Sequence, residues 1–152
     1  MAKGQRLWVL GLMLAITGAG YAATTEPPDP CALLQASDVS QALGGNYGAP
    51  TKTVAPRPFA NTVEGTDCHY SGGGHELLFR IYFDPSSGDA TSLFARLKMF
   101  YSPPRPVTVG DDAYFDSRHG LHVRKGNVRY FLQGSNDEGK LTALGQVVAG
   151  KL

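Results

Sequence analysis

The stretch "GTDCHYSGGGHELLFRIYFD", residues 65–84, decides the fold, because it predicts two β-strands joined by a tight turn. Two runs rich in β-forming residues flank residues 71–74, where three glycines permit any turn geometry. In the second run, alternation places four apolar residues on one face: Leu77, Phe79, Ile81 and Phe83. Leu78 and Tyr82 make the other face apolar as well, with Arg80 between them, so we expect this strand to lie inside a sheet.

Cys68 lies in the first of these strands, and the chain has one other cysteine, Cys31. A single pair of cysteines in an exported chain is most simply interpreted as one disulfide. That bond would tie the first predicted helix, residues 31–43, to the sheet. The alternative, in which Cys68 is a nucleophile and His69 its base, is disfavoured because adjacent residues on a strand point to opposite faces.

The first 22 residues have the three-part order of a secretory signal peptide: Lys3 and Arg6, an apolar run over residues 7–16, and small residues ending near Ala22. The apolar run is shorter than the roughly 20 residues that cross a bilayer, which disfavours the alternative of an uncleaved anchor helix. We therefore expect cleavage after Ala22, no membrane span in the remaining chain, and a periplasmic or secreted location. Residues 23–30 are interpreted as a Pro-rich linker.

Residues 31–152 are interpreted as a single α+β domain, since they are close to the usual length of one domain. The predicted signal peptide carries two of the 14 basic residues and none of the 13 acidic ones, so its removal changes the formal charge from +1 to −1. A nearly neutral chain of this kind does not indicate a nucleic-acid partner.

The region between the first helix and the hairpin, residues 46–64, contains several prolines and is predicted to be a loop with one short strand at residues 52–54. After the hairpin, five apolar residues recur at helical spacing: Ala90, Leu93, Phe94, Leu97 and Phe100. They predict an amphipathic helix whose aromatic stripe packs in the core, an interpretation favoured over a cofactor site.

The C-terminal third predicts a meander of three short strands at residues 107–117, 121–126 and 128–134, followed by a helix over residues 139–152. Gly145 and Gly150 weaken the helical pattern. The fold class expected from the sequence is therefore α+β, with an antiparallel sheet of about five strands flanked by helices.

Four segments in this order resemble small secreted bacterial domains of unknown function: "CALLQASDVSQALGG" at residues 31–45, "CHY" at 68–70, "VGDDAYF" at 109–115 and "LHVRKGN" at 121–127. Several such domains look like the PsbP-like α/β/α sandwich, and the likeness extends over most of the chain after the signal peptide. The resemblance implies that fold, the disulfide, and a role in binding or as an accessory to larger assemblies. It carries over no catalytic residue, and fold alone does not establish function.

Basic residues concentrate in residues 118–129. If Leu121 faces the core, alternation turns His122 and Arg124 to the opposite face, where a neighbouring strand can add a further cation. We predict a patch that binds an acidic partner or an anionic surface polymer. Four residues form this patch: Arg118, His122, Arg124 and Arg129. The alternative is a solvated sheet face or edge whose charges prevent aggregation.

The leading functional hypothesis is a non-enzymatic binding or accessory module that acts on a protein partner in the cell envelope, in an inhibitor, immunity-like or assembly role. No nucleophile elbow, zinc-protease motif, phosphate loop or dinucleotide fingerprint occurs in the sequence. We expect neither a cofactor nor a metal. The alternative is a small enzyme or metal-binding protein that uses His119 or His122 with Asp111 or Asp112, which requires those side chains to converge.

Overall fold

The computed structural model describes residues 29–101 and 103–152, so the predicted signal peptide, its cleavage site and most of the predicted linker lie outside the described residues. The helices are α1 (Pro30–Leu33), α2 (Ala36–Leu43), α3 (Ser87–Phe100) and α4 (Glu138–Lys151). The strands are β1 (Thr51–Ala55), β2 (Gly65–Gly72), β3 (His75–Phe83), β4 (Arg105–Pro106), β5 (Asp112–Phe115), β6 (Leu121–Lys125) and β7 (Val128–Gln133). None of the helices in this part of the chain has the length and apolarity needed to cross a bilayer.

The described strands form one antiparallel sheet with the order β1-β2-β3-β7-β6-β5-β4. The predicted α+β class, single domain and disulfide are confirmed, whereas the expectation of about five strands is wrong, because the sheet has seven. The edge strand β4 is too short to leave an alternation in the sequence. The other edge strand is β1, which confirms the short strand predicted at residues 52–54 and is one residue longer at each end.

The predicted hairpin is present as β2 and β3, with Gly72 paired to His75 across a turn of two glycines. Gly73 and Gly74 both have positive φ, 59° and 79°, and a Cβ at either position would meet nothing within 4 Å. The turn therefore requires glycine for its backbone conformation and not for space, as in the hairpin turns that match the twist of paired strands.

The register divides the sheet into two faces. On the first, which we call the α4 face, one row of paired residues crosses five strands and is entirely buried: Cys68, Phe79, Leu132, Leu121 and Phe115. Helices α1, α2 and α4 pack on this face and contribute further buried residues to the same core. The second face, which we call the α3 face, carries the alternate row: Asp67, Arg80, Phe131, His122 and Tyr114.

The helix expected over residues 31–43 is two helices, because Leu34 leaves helical conformation with φ −124° and ψ 105°. The Leu34 carbonyl accepts a hydrogen bond from the Tyr70 hydroxyl on β2, so the interruption leaves this buried acceptor satisfied. Helix α2 then restarts with the Gln35 N–H donating to the Asp38 carboxylate at 3.0 Å. The break lets Leu34 bury completely against the sheet.

The expected strand over residues 107–117 is also wrong in extent, because this segment folds back on itself. The Val107 N–H donates to the Ala113 carbonyl at 3.1 Å, so the chain turns between β4 and β5. Gly110 lies in the turn with φ 58°, and a Cβ there would lie 2.7 Å from the Arg124 carbonyl oxygen. Only the last part of the predicted strand pairs with β6.

The disulfide joins Cys31 in α1 to the fully buried Cys68 in β2, with a separation of 37 residues in sequence. Closing a loop of this length removes conformational entropy from the unfolded chain, which is worth about 4 kcal/mol on the chain-entropy model. We expect the C31A/C68A double variant to lose about 2–5 kcal/mol in its free energy of unfolding.

Urea unfolding of the oxidised protein and of the variant measures this loss, with and without reductant. Reductant should lower the stability of the parent protein and leave the variant unchanged. Equal stability of the oxidised parent and the variant would contradict a structural role for the bond.

Helix α4 approaches the sheet most closely at Gly145, whose carbonyl accepts a hydrogen bond from the Tyr130 hydroxyl at 2.6 Å. A Cβ at Gly145 would lie 2.8 Å from Leu121 Cδ2 and 3.3 Å from Val109 Cγ1. The glycine that weakened the helical pattern is therefore needed for packing. A Cβ at Gly150, in the same helix, would meet no atom within 4 Å.

These two glycines make a matched pair. We expect Gly150→Ala to raise the free energy of unfolding by about 0.5–1 kcal/mol, because alanine costs less backbone entropy in a helix. Gly145→Ala should instead lower it by about 1–3 kcal/mol, because the methyl group overpacks the core against Leu121. Thermal and urea unfolding of both variants test the difference, and equal effects would show that α4 does not pack this closely.

Candidate functional site

The α3 face is partly open, and a cleft of about 200 Å³ lies between the sheet, the loop that follows β1, and the C-terminal end of α3. Its floor is formed by Arg80, Phe131 and His122. These residues occupy paired positions on β3, β7 and β6, so the register places them side by side. The cleft therefore sits over the middle of the sheet.

His122 is the most closely packed of the floor residues. Its ring stacks on Tyr114 with centroids 4.6 Å apart and planes 5° apart, and it also contacts Tyr101 and Phe131 at 4.8 and 4.6 Å. Its Nε2 atom is 3.0 Å from a carboxylate oxygen of Asp116, and both side chains are buried. The imidazole is therefore held in position by three rings and one carboxylate.

Asp116 is itself fixed by the turn between β5 and β6. One of its oxygens accepts hydrogen bonds from the Arg118 and Gly120 N–H groups, each at 2.8 Å. Burial on its own raises the pKa of Asp116, but the hydrogen bonds from His122 and from these two backbone groups outweigh it and hold that pKa below the ordinary value. The carboxylate form is therefore the one that the folded protein stabilises.

Two further interactions hold the floor of the cleft and one of its walls. Arg80 donates two parallel hydrogen bonds to Asp67, both at 2.7 Å, and the hydrogen bonding to this carboxylate raises the pKa of the guanidinium. The Tyr82 hydroxyl donates to the Pro56 carbonyl at 2.9 Å and so ties the loop after β1 to the sheet. The wall formed by this loop is therefore attached to the cleft floor.

A group of apolar side chains lies beside the cleft; we call it the rim and define it as Phe59, Phe100 and Tyr101, of which Phe59 is half-buried and the other two are exposed. Among the described residues, two of the five exposed large apolar side chains belong to it, Phe100 at 69% and Tyr101 at 38% exposure. The rings of Phe59 and Phe100 are 5.9 Å apart, and the Arg96 guanidinium lies 4.0 Å from the centre of the Phe59 ring. Tyr101 belongs both to the rim and to the cleft wall.

The rim corrects the prediction that Phe100 belongs to a core stripe on α3. Ala90 and Phe94 are buried as predicted, and Phe94 packs edge-on against Tyr114 with centroids 5.2 Å apart. Phe100 sits in the last turn of the helix and contacts the ring of Phe59 in the loop after β1. Helical periodicity correctly predicted which face of α3 packs on the sheet. It did not predict that this face is exposed in the last turn of the helix.

The four residues predicted to bind a partner do not form one exposed basic patch, so that geometric expectation is wrong. His122 and Arg124 lie on the same face, as alternation predicted, and Arg129 is paired with Arg124 across the strands. However, the Arg129 side chain is 3% exposed and forms two hydrogen bonds with Asp84, at 2.5 and 2.9 Å. Arg118 is exposed in the turn before β6, so the four side chains are dispersed.

The reason for the difference is that acidic residues distant in sequence neutralise the cations. Asp84 follows β3 and lies 45 residues from Arg129, and Arg124 pairs with Asp111 at 3.1 Å. Whether any of the four residues binds a partner remains a prediction, and His122 is the one that lines the cleft.

The side chains of the alternative hypothesis each have a different partner. His119 contacts Glu138 at 2.9 Å, Asp112 pairs with Lys98 at 3.0 Å, and Asp111 pairs with Arg124. Within residues 29–101 and 103–152, no group of three or more His, Cys, Asp or Glu residues is placed to hold a metal ion.

Sequence reasoning missed Asp67 and Asp116, the two carboxylates that fix the cleft floor. Asp67 precedes Cys68 on β2, so alternation placed it on the face opposite the disulfide. The face of the sheet on which Asp67 lies could therefore be predicted from the sequence. The position of Asp116 depends on a turn in which His119 adopts φ 61°, and a Cβ at Gly120 would lie 2.8 Å from the Asp116 carboxylate. No sequence pattern predicted that turn.

Comparison of the chain with protein-family models, with curated proteins and with solved structures finds no match. The geometry of the cleft and its rim therefore carries the functional argument.

The hydrogen bonding of Asp116 to His122 and to the backbone predicts that the stability of the protein depends on pH. Its pKa is lowered on folding, so the carboxylate contributes stability that is fully present above about pH 5 and is lost as the pH falls through the folded value. We expect Asp116→Asn to destabilise the protein at pH 7 by about 1.5–3 kcal/mol, because hydrogen bonds to a charged group are lost. The variant should also lose part of the acid sensitivity of the parent protein.

Urea unfolding at several pH values between about 2 and 7 measures both effects, since this range begins well above the ordinary carboxyl pKa and extends below it. Glu76→Gln is the matched control, because Glu76 is exposed and forms no ion pair with the other described residues. The control should follow the parent protein at every pH. An Asp116→Asn variant with the same pH dependence as the parent would contradict the assignment.

Proposed function

We propose that the protein is an exported, non-enzymatic binding module that acts on a protein partner in the cell envelope, and that it binds through the cleft and the rim. The observation that carries this proposal is the pair of exposed aromatic side chains at the rim, Phe100 and Tyr101, directly beside the cleft. Clustered apolar groups with polar residues around them are typical of interaction sites. Aromatic residues are present in both parts and arginine lines the cleft, and both residue types are enriched at the centres of protein interfaces.

The pairing of polar groups at the cleft supports binding over catalysis. Arg80 is bonded to Asp67 and His122 to Asp116, so these side chains are engaged in holding the cleft floor. A histidine held by a carboxylate also occurs in catalytic sites, but among the described residues that line the cleft there is no serine, threonine or cysteine for it to activate. The small enzyme or metal-binding protein built on His119, His122, Asp111 and Asp112 remains the weaker proposal, because those four side chains are paired elsewhere.

The proposed location is the periplasm or the exterior of the cell. The disulfide between Cys31 and Cys68 is consistent with an oxidising compartment. The signal-peptide pattern of residues 1–22 supports the same location. Inhibitor, immunity-like and assembly roles are all compatible with this placement.

We also retain the PsbP-like sandwich as a structural hypothesis. It is supported by the packing of α3 on one face of the antiparallel sheet and of α4 on the other. This likeness adds no functional residue to the proposal.

Capture of a partner by the exported protein tests the proposed surface. The test variant is Phe100→Glu, and the matched control is Val54→Glu. Val54 is 73% exposed, similar to Phe100, and its neighbour Thr53 is the residue of β1 that pairs with Asp67 on the α3 face. Val54 therefore points to the other side of the sheet.

A protein recovered from envelope extract is identified and purified, and its affinity for all three forms is measured by calorimetry. Phe100→Glu should weaken binding at least about tenfold, because loss of a central aromatic contact costs about 2 kcal/mol, whereas Val54→Glu should bind like the parent. Equal affinities of the three forms would exclude the rim as the binding surface.

A further inference from the structure

The dimensions of the cleft limit what it can hold. Pockets that enclose a whole drug-sized ligand usually measure about 300–1,000 Å³, whereas this cleft measures about 200 Å³. It therefore suits one ring-sized group of a larger ligand, with the remainder of that ligand outside. The rim lies directly beside the cleft, since Tyr101 belongs to both and Phe59 follows the cleft residue Pro58.

The hydrogen-bonding groups of the cleft limit the ligand further. Its lining includes two arginines, Arg57 and Arg80, which have donors and no acceptor. Among the described residues that line it there is no carboxylate or amide side chain, so its side-chain acceptors are limited to the tyrosine hydroxyls and the imidazole of His122. The nearby carboxylates of Asp67 and Asp116 are bonded to Arg80 and His122. A ligand rich in acceptors and poor in donors matches this lining, and a cationic ligand does not.

The remaining lining is suited to packing against a saturated ring. Tyr82, Tyr101 and Phe131 provide aromatic surfaces, and Leu97 adds an apolar wall. Proline has no backbone N–H, and a polyproline II segment has no internal hydrogen bonds, so its carbonyl oxygens are free to accept. Such segments dock in grooves lined by aromatic residues because little conformational entropy is lost on binding.

We propose that the cleft binds a proline residue of an extended, proline-containing segment of the partner protein, and that the rim contacts the residues that follow. This inference rests on the proposed function, since it names the part of the partner that is recognised. One face of a polyproline II helix recurs every three residues, so two prolines at that spacing present their rings in the same direction. Arg57 already pairs with Glu64 at 3.4 Å, so the Arg96 guanidinium over Phe59 is the cation that favours an acidic residue beside the prolines.

The test uses the oxidised, exported protein and three probes of known composition. The first is a capped peptide with repeated Pro-Pro-Asp, the second has every proline replaced by alanine, and the third is 3-phenylpropanoate, a small aromatic carboxylate. Binding is followed through the backbone amide NMR signals of the protein. The variants are Tyr101→Ala and Arg57→Glu at the cleft, with Val54→Glu as the control on the other side of the sheet.

The inference predicts that the proline peptide shifts the signals of Arg80, Tyr101 and His122 and binds at least tenfold more tightly than the alanine peptide. Both cleft variants should weaken it at least about threefold, and Val54→Glu should leave it unchanged. Two cleft variants are used because Tyr101 packs on His122, so Tyr101→Ala can disturb the floor. Arg57 is exposed, and losing its ion pair with the exposed Glu64 costs little stability.

Equal binding of the two peptides, or the absence of binding by the proline peptide, would overturn the inference. Displacement of the proline peptide by 3-phenylpropanoate, with tighter binding of the latter, would show instead that the cleft recognises aromatic carboxylates. Each of these results leaves the proposed function open to its own test, because loss of the partner in the Phe100→Glu variant does not depend on which segment enters the cleft.

Discussion

The pairing of β3 with β7 holds the two halves of the chain together. Strands β1–β3 form one antiparallel group and β4–β7 form the other, and this ladder is where the two groups meet in the sheet. It pairs residues as distant in sequence as Leu78 and Gln133. Because side chains alternate along a strand, its register decides which residues enter the core and which face α3. In the observed register, Phe79 lies beside Leu132 in the core, and Arg80 lies beside Phe131 at the cleft.

A buried ion pair strengthens the same junction. Arg129 on β7 donates two hydrogen bonds to Asp84, which follows β3, and the Arg129 guanidinium lies 4.9 Å from the ring of Tyr82. Removing one partner of such a pair costs about 3–5 kcal/mol, because the other charge is left buried and unpaired. A slip of one residue would turn Arg129 toward the α4 face and away from Asp84. The ion pair therefore penalises the wrong register, and the same register aligns the cleft floor.

The local parts of this arrangement could be predicted from the sequence. Alternation and glycine placement identified the β2–β3 hairpin and the shared face of His122 and Arg124, and cysteine counting identified the disulfide. Whether the polar face is covered could not be predicted, because that depends on where α3 lies. The partner of Arg129 is equally hidden, since Asp84 is 45 residues away and no periodic pattern links the two positions. Arg124 and Arg129, which are close together in the sequence, are therefore engaged in two separate ion pairs in the structure.

The cleft differs from an accidental gap in packing because specific contacts hold its walls and floor. A gap left by poor packing would lack such contacts, whereas here Tyr82 is bonded to the Pro56 carbonyl, Arg80 is bonded to Asp67, and the Tyr101 ring contacts His122. These contacts hold the cleft in one shape without a ligand. A ligand that enters it therefore loses little affinity to ordering of the protein. The exposed Phe100 adds apolar area that only a bound molecule can bury, which is why the cleft and the rim are interpreted together as one binding surface.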